Sequence, residues 1–226
     1  MKISFFGASL TEGKYGGDFV AAAQAALPEH TLINHGRSGN TINKLLERVP
    51  DVLADSPDAV FVTPGSNDAL AYVFPATRPY YKSQQDLPDG YMEPEVYGAY
   101  FRDLCQAFML EHVQVWVGLP PMEQSPAAVE ASARFNQETL SVAEALDLPV
   151  YDMAAVLNPP EIPARPPLTL QTVFQIGDRV KSGWDKYAEE QAAGGYSYSF
   201  DGIHFTPETA ARVGVLLADW IREQAD

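Results

Sequence analysis

The sequence is poor in cysteine and in positive charge. Its 226 residues include one cysteine, Cys105, so no intrachain disulfide can form. Only 15 lysines and arginines stand against 30 acidic residues, which gives a formal net charge of −15. Because such a surface repels phosphate groups, we expect no binding to nucleic acid or to anionic membranes. No apolar run is long enough to span a bilayer, and no signal-peptide pattern is present, which favours a cytoplasmic location.

Signals for a metal or cofactor are also missing. The sequence has no HExxH motif, and Cys105 has no partners at the spacing of metal ligands, so we expect no metal site. No Walker motif or GxGxxG fingerprint indicates a bound nucleotide, and we expect no cofactor. His30, His35 and His112 fit no catalytic pattern and are interpreted as structural or surface residues.

Short apolar runs alternate with helix-like segments along the chain. Five runs, rich in β-branched or aromatic residues and with little polar alternation, predict buried strands at 2–7, 31–34, 59–63, 113–118 and 149–152. Helices are predicted at 18–27, 41–53 (interrupted by Pro50), 95–111, 127–146 and from Thr206 onward. This alternation predicts an α/β fold: a three-layer α/β/α sandwich with a five-stranded parallel sheet, flavodoxin-like, in a single domain spanning 1–226.

Two stretches depart from this alternation and read as insertions. Residues 73–94 and 158–200 are rich in proline and carry tyrosines, and the second stretch also contains Trp184. Long loops in compact domains are usually functional or disordered, and the aromatic content argues against disorder. We expect both insertions either to flank the carboxyl edge of the sheet or to cover an edge of the core.

Four short polar blocks fall where such a fold builds its sites. Ser9 follows the first predicted strand, residues 34–41 follow the second, and residues 64–68 follow the third. The fourth block, 201–204, precedes the last helix. Because the carboxyl ends of parallel strands meet at one edge of the sheet, the first three blocks are expected to be neighbours, with the fourth reaching over the same edge.

The order and spacing of these blocks resemble those of the SGNH hydrolases, also called the GDSL esterase/lipase family. The resemblance extends from Phe5 to Pro207 and implies a serine esterase with the fold predicted above. It implies that Ser9 is the nucleophile and that Gly39 and Asn67 contribute to the oxyanion hole. One departure stands out: the family's first block usually reads Gly-Asp-Ser-Leu, whereas this chain has Ala8 before the serine.

The chemistry of the residues supports the same roles. A serine hydroxyl becomes a good nucleophile when a base removes its proton, and His204 is suited to that task near neutral pH. Asp201, three residues upstream, can fix the imidazole tautomer and stabilise the imidazolium. The backbone N–H groups of Ser9 and Gly39, with the side-chain amide of Asn67, can donate hydrogen bonds to the oxyanion that forms on the attacked carbonyl.

Simpler interpretations of each block remain open. Asp201 can belong to an ordinary turn, Asn67 and Asp68 can cap the following helix, and Gly39 can serve a turn. The same serine would also serve an acyltransferase. A non-catalytic flavodoxin-like module could instead hold a phosphate beside Ser9 and the following helix.

The hydrolase hypothesis explains all four blocks together. For its substrate we expect a small-molecule or carbohydrate ester with a short acyl group. The sequence does not predict an oligomeric state.

Overall fold

The sheet has the predicted architecture. A computed structural model describes residues 1–157, 159 and 161–225. Its five strands are all parallel and lie in the order β2-β1-β3-β4-β5, which is the flavodoxin-like order. Their bounds are β1 Lys2–Gly7, β2 Thr31–Asn34, β3 Ala59–Thr63, β4 Gln114–Leu119 and β5 Val150–Asp152. All five strands were predicted to within a residue at each end, and the predicted fold class is confirmed. The prediction that all five are buried is wrong for β2, which contains no buried residue because it lies at the edge of the sheet.

Helices connect the strands and cover both faces of the sheet. In chain order they are α1 Ser9–Glu12, α2 Phe19–Ala26, α3 Ile42–Glu47, α4 Val49–Leu53, α5 Ser66–Val73, α6 Arg78–Gln84, α7 Pro94–Leu110, α8 Pro126–Ala145, α9 Met153–Leu157, α10 Leu170–Ser182, α11 Tyr187–Gly194 and α12 Pro207–Ala225. A 3₁₀ turn, Pro75–Thr77, precedes α6. No helix in the described ranges is long and apolar enough to cross a membrane.

Strand β1 illustrates why the central strands are mainly apolar. Phe5 and Phe6 point to opposite faces of the sheet, and both side chains are fully buried. Phe5 packs edge-on against Phe19 of α2, with ring centroids 6.1 Å apart. Phe6 packs against Phe108 of α7 at 6.0 Å. Because helices cover both faces, polar side chains in such a strand become buried, and most positions of β1 are apolar. Ser4 is the exception: it is fully buried, and its hydroxyl has no hydrogen-bond partner among the residues that the structure describes.

Local sequence signals set the helix ends. Asp18 caps α2 by accepting a hydrogen bond from the N–H of Ala21 at 2.9 Å. Thr206 likewise caps α12, where its hydroxyl accepts from the N–H of Thr209 at 3.2 Å. The helix predicted over 41–53 is broken as Pro50 requires, since α3 ends at Glu47 and Pro50 lies in the first turn of α4.

The two insertions are helical and differ in packing. In the first, Tyr81, Leu87 and Met92 are buried against the core, while α6 reaches the carboxyl edge of the sheet. The second supplies α10 and α11, neither of which contains a buried side chain. Both insertions therefore flank the edge where the polar blocks meet, and the first also covers part of the core. Residues 158 and 160 of the second insertion lie outside the described residues.

Candidate active site

Ser9, His204 and Asp201 form one hydrogen-bonded chain. Ser9 leaves the carboxyl end of β1 as the first residue of α1. Its Oγ lies 2.9 Å from Nε2 of His204, a residue 195 positions further along the chain. On the other side of the ring, Nδ1 of His204 lies 2.7 Å from Oδ2 of Asp201. The structure thus brings together the three residues predicted as nucleophile, base and orienting acid.

The second oxygen of Asp201 is held by its own loop. Oδ1 accepts hydrogen bonds from the backbone N–H groups of Ile203 at 3.0 Å and His204 at 2.8 Å. Burial raises the pKa of Asp201, but the charge of His204 and these hydrogen bonds lower it below the usual value. The ionised carboxylate therefore keeps a proton on Nδ1 and leaves Nε2 free to accept the proton of Ser9.

The loop after β2 is held against α1 and presents Gly39. The backbone N–H of Ser38 donates to Oε2 of Glu12 at 3.1 Å, and the Ser38 hydroxyl donates to the same oxygen. Gly36 passes so close to α1 that a Cβ there would overlap the backbone of Glu12. Gly39 has a φ of +80°, a left-handed conformation that favours glycine, and it borders the same cavity as Ser9. The turn that favours glycine at position 39 therefore lies at the edge of this cavity.

The Asn67 amide is fixed from two sides. Its Nδ2 donates to the backbone oxygen of Asn40 at 3.0 Å, and its Oδ1 accepts from the hydroxyl of Tyr81 at 3.0 Å. An asparagine amide carries two N–H donors, so one remains for a ligand. Ser9, as the first residue of α1, has a backbone N–H that finds no carbonyl within its helix. The three predicted oxyanion donors thus border one cavity.

That cavity opens over Ser9 and has a volume of about 580 Å³. Its floor comes from the carboxyl edge of the sheet and includes Ser9, Asn67 and His204. Its walls come from the two insertions, with Tyr80 on one side and Ile176 on the other. Its size is within the range of small-molecule sites.

Glu123 is a functional candidate that sequence reasoning missed. Its side chain is buried, and its Oε1 accepts from the N–H of Tyr198 at 3.1 Å and from the N–H and hydroxyl of Ser199 at 2.7 and 2.6 Å. Its Oε2 accepts from the N–H of Ser197 at 2.9 Å. These bonds fix the segment that leads into Asp201, so Glu123 is a positioning residue for the loop that carries His204. A single glutamate after β4 matches no motif, so the sequence carried no signal for it.

The contact that Asp68 makes was also not predicted from the sequence. Asp68 lies in the third block, but instead of capping α5 its Oδ1 accepts from the N–H of Ile42 at the start of α3 at 3.2 Å. The alternative interpretation of Asp68 as a cap of the following helix is therefore wrong: Asp68 lies within α5, and the loop brings the start of α3 within reach of its carboxylate. Burial raises the pKa of Asp68 to about 7.

The remaining polar candidates have structural contacts elsewhere. His30 lies 3.1 Å from the amino-terminal nitrogen, and Nε2 of His35 lies 2.8 Å from Oδ2 of Asp55. Asp152 accepts a hydrogen bond from the N–H of Ala155 at 2.9 Å. Ala8 borders the cavity beside Ser9. In the part of the chain that the structure describes, no three His, Cys, Asp or Glu side chains are grouped as metal ligands would be.

Comparison with known proteins identifies the class to which this fold and site belong. Residues 5–212 match the model of the GDSL-like lipase/acylhydrolase family. The chain therefore belongs to this family, and the predicted class of enzyme, a carboxylic ester hydrolase, is confirmed. A search of curated protein sequences gave no match.

Solved structures with the same fold are distant in sequence. An acetyl xylan esterase is 17% identical, with all of both chains covered and a TM-score of 0.61. A catalytic mutant of an acetylxylan esterase from Geobacillus stearothermophilus is 18% identical, covering 98% of this chain and 93% of the other, with a TM-score of 0.65. A carbohydrate acetylesterase from Sinorhizobium meliloti is 17% identical, covering 99% of each chain, with a TM-score of 0.62.

Proposed function

We propose that this protein hydrolyses a carboxylic ester through an acyl-enzyme formed on Ser9. The observation that carries the proposal is the hydrogen-bonded chain from Ser9 through His204 to Asp201 at the floor of an open cavity. Ser9 Oγ attacks the ester carbonyl while His204 Nε2 takes its proton and then returns it to the departing alcohol. A water molecule, activated by the same nitrogen, then releases the acid and restores Ser9.

The oxyanion of each tetrahedral intermediate would accept hydrogen bonds from the N–H groups of Ser9 and Gly39 and from the amide of Asn67. These donors are held by contacts that already exist without substrate, so little reorganisation is needed during the reaction. The loss of one such donor typically lowers turnover by about 10²–10³.

For the substrate we propose an acyl group carried on a small molecule or a carbohydrate. The structures that share the fold include enzymes named as acetylxylan and carbohydrate acetylesterases. Tyr80 borders the cavity and offers an aromatic face and a hydroxyl of the kind that sugar rings pack against. Asp178 and Lys181 also line it and can accept and donate hydrogen bonds to an alcohol portion.

The phosphate-binding alternative is disfavoured by local charge. Helix α1 has only four residues, so its dipole is weak, and it contains the acidic residue Glu12. The cavity lining holds the carboxylates of Asp178 and Asp201 and the ammonium group of Lys181. An anion beside Ser9 would therefore lie in a cavity whose lining carries more negative than positive charge.

The direct test is hydrolysis of p-nitrophenyl esters of increasing chain length and of acetylated sugars by the wild type and by Ser9→Ala. The variant is expected to be folded and inactive. Ser141→Ala, a matched change at an exposed position on α8, is expected to keep full activity. Retained turnover in a clean preparation of Ser9→Ala would refute the mechanism. An activity optimum at acyl chains of about ten or more carbons, too long for a cavity of small-molecule size, would refute the proposed substrate class.

A further inference from the structure

Helix α10 carries an apolar stripe that does not belong to the core. Val173, Ile176 and Val180 follow helical spacing, and all three border the cavity above Ser9. None of the side chains of α10 is buried. An apolar stripe directed at an open cavity leaves apolar surface in contact with water, which is unfavourable in free energy. A bound apolar group would exclude that water and so be favoured.

A glycine within the same helix keeps the cavity open. Gly177 lies in the middle of α10 and also lines the cavity. Glycine inside a helix is less stable than alanine by about 1 kcal/mol. A Cβ at this position would meet no atom within 4 Å, so packing does not require glycine here. The missing side chain instead leaves room beside the stripe.

Polar and aromatic contacts hold α10 in place beside the proposed base. Arg179 donates to the hydroxyl of Tyr15 at 3.1 Å and to Glu190 at 3.1 Å, and its guanidinium lies 4.0 Å from the ring centre of Trp184. The ring of Tyr15 in turn packs edge-on against His204, with ring centres 5.0 Å apart. The wall formed by α10 is therefore anchored to the active site itself.

Further apolar side chains line the same cavity: Leu70, Ile203 and Leu168 pack in one cluster next to the start of α10. At ~30 Å³ per heavy atom, the share of a water molecule in the liquid, an acetyl group would occupy about 90 Å³. An octanoyl group would occupy about 270 Å³ by the same measure. A cavity of about 580 Å³ thus has room for an acyl chain well beyond acetyl and for part of the alcohol.

We propose that α10 forms one wall of an acyl-binding pocket and that the preferred acyl group has about four to eight carbons. This inference rests on the proposed function and specifies its substrate. Each methylene buried against the wall should raise kcat/KM by up to about fourfold, the factor that corresponds to its transfer from water. Acyl chains that are longer than the cavity can hold should show no further rise in kcat/KM.

The test compares hexanoyl and acetyl p-nitrophenyl esters in the wild type, in Gly177→Leu and in Gln175→Leu. The leucine at position 177 would fill the pocket and improve helix propensity, so the variant is expected to fold. Gln175 lies on the same helix, exposed and away from the cavity lining, and serves as the matched control. Circular dichroism and thermal melting check folding in each case.

The wild type should prefer the hexanoyl ester by about tenfold or more in kcat/KM, as burial of four additional methylenes allows. Gly177→Leu should reduce that ratio by about tenfold, and Gln175→Leu should leave it unchanged. A wild type that prefers acetyl, or a ratio that Gly177→Leu does not alter, would overturn the acyl-pocket assignment while the esterase proposal stood. Absence of hydrolysis of every ester by the wild type would instead refute the proposed function.

Discussion

The carboxylate of Glu123 offers a sharp test of how the active-site loop is held. The substitution Glu123→Gln keeps the size of the side chain and removes its charge. Oε1 can still accept from Tyr198 and Ser199, but the new amide nitrogen would face the N–H of Ser197, which now donates to Oε2 at 2.9 Å. Two donors would then meet at a partly buried site.

The expected losses of stability and of turnover follow from these contacts. A buried donor left without an acceptor costs about 1–3 kcal/mol, and hydrogen bonds to a charged acceptor are stronger than neutral ones. We therefore expect Glu123→Gln to lower the free energy of unfolding by about 3 kcal/mol. Because a displacement of about 1 Å near reacting groups can cost about 10² in rate, kcat should fall by about 10- to 100-fold while KM changes little.

Urea unfolding would measure stability, and ester hydrolysis under conditions where the variant is fully folded would measure kcat and KM. The control is Glu130→Gln, which removes an exposed ion pair with Arg134 and should cost at most about 1 kcal/mol with no change in kcat. If folded Glu123→Gln keeps its wild-type kcat, Glu123 stabilises the protein without positioning His204.

Three further predictions concern single residues. Asp201→Asn should lower kcat by up to about 10⁴, measured by ester hydrolysis, because an amide partner favours the wrong tautomer of His204. Gly39→Ala should lower kcat without preventing folding, because the left-handed backbone disfavours alanine and its Cβ would meet the hydroxyl of Tyr80. With its pKa raised from 3.8 to about 7, Asp68 binds a proton more tightly in the folded state, so urea unfolding should show wild-type stability falling as pH rises from about 4 to about 8. Asp68→Asn should remove much of that slope.

The central strands were predictable because β1, β3 and β4 are short, mainly apolar runs that are buried in the sheet. The edge strand β2 was found by the same apolar pattern, although none of its residues is buried. Phe5 and Phe6, adjacent and both fully buried, mark a strand covered on both faces. Once the strands were in order, the positions of Ser9, Gly39 and Asn67 followed, because parallel strands end at one edge of a sheet. The four blocks thus specified the candidate site before any contact was known.

Other features depended on distant contacts. Glu123 reaches Ser199, which is 76 residues further along the chain, and nothing in the local sequence of either residue indicates the pairing. The helices of the second insertion were not predicted. Prolines around Pro166 obscured the start of α10, and its apolar stripe faces a cavity instead of the core. The helical spacing of apolar residues reveals such a stripe, but it does not show whether the stripe packs on the core or lines a cavity.

The central claim is that Ser9 attacks the substrate with the help of His204. Peptide mapping by mass spectrometry after treatment with a fluorophosphonate tests it most directly. We expect one covalent adduct, on Ser9, that forms rapidly in the wild type and far more slowly in His204→Ala. An enzyme that hydrolyses esters yet carries the adduct on another residue, or labelling of Ser9 that does not depend on His204, would contradict it.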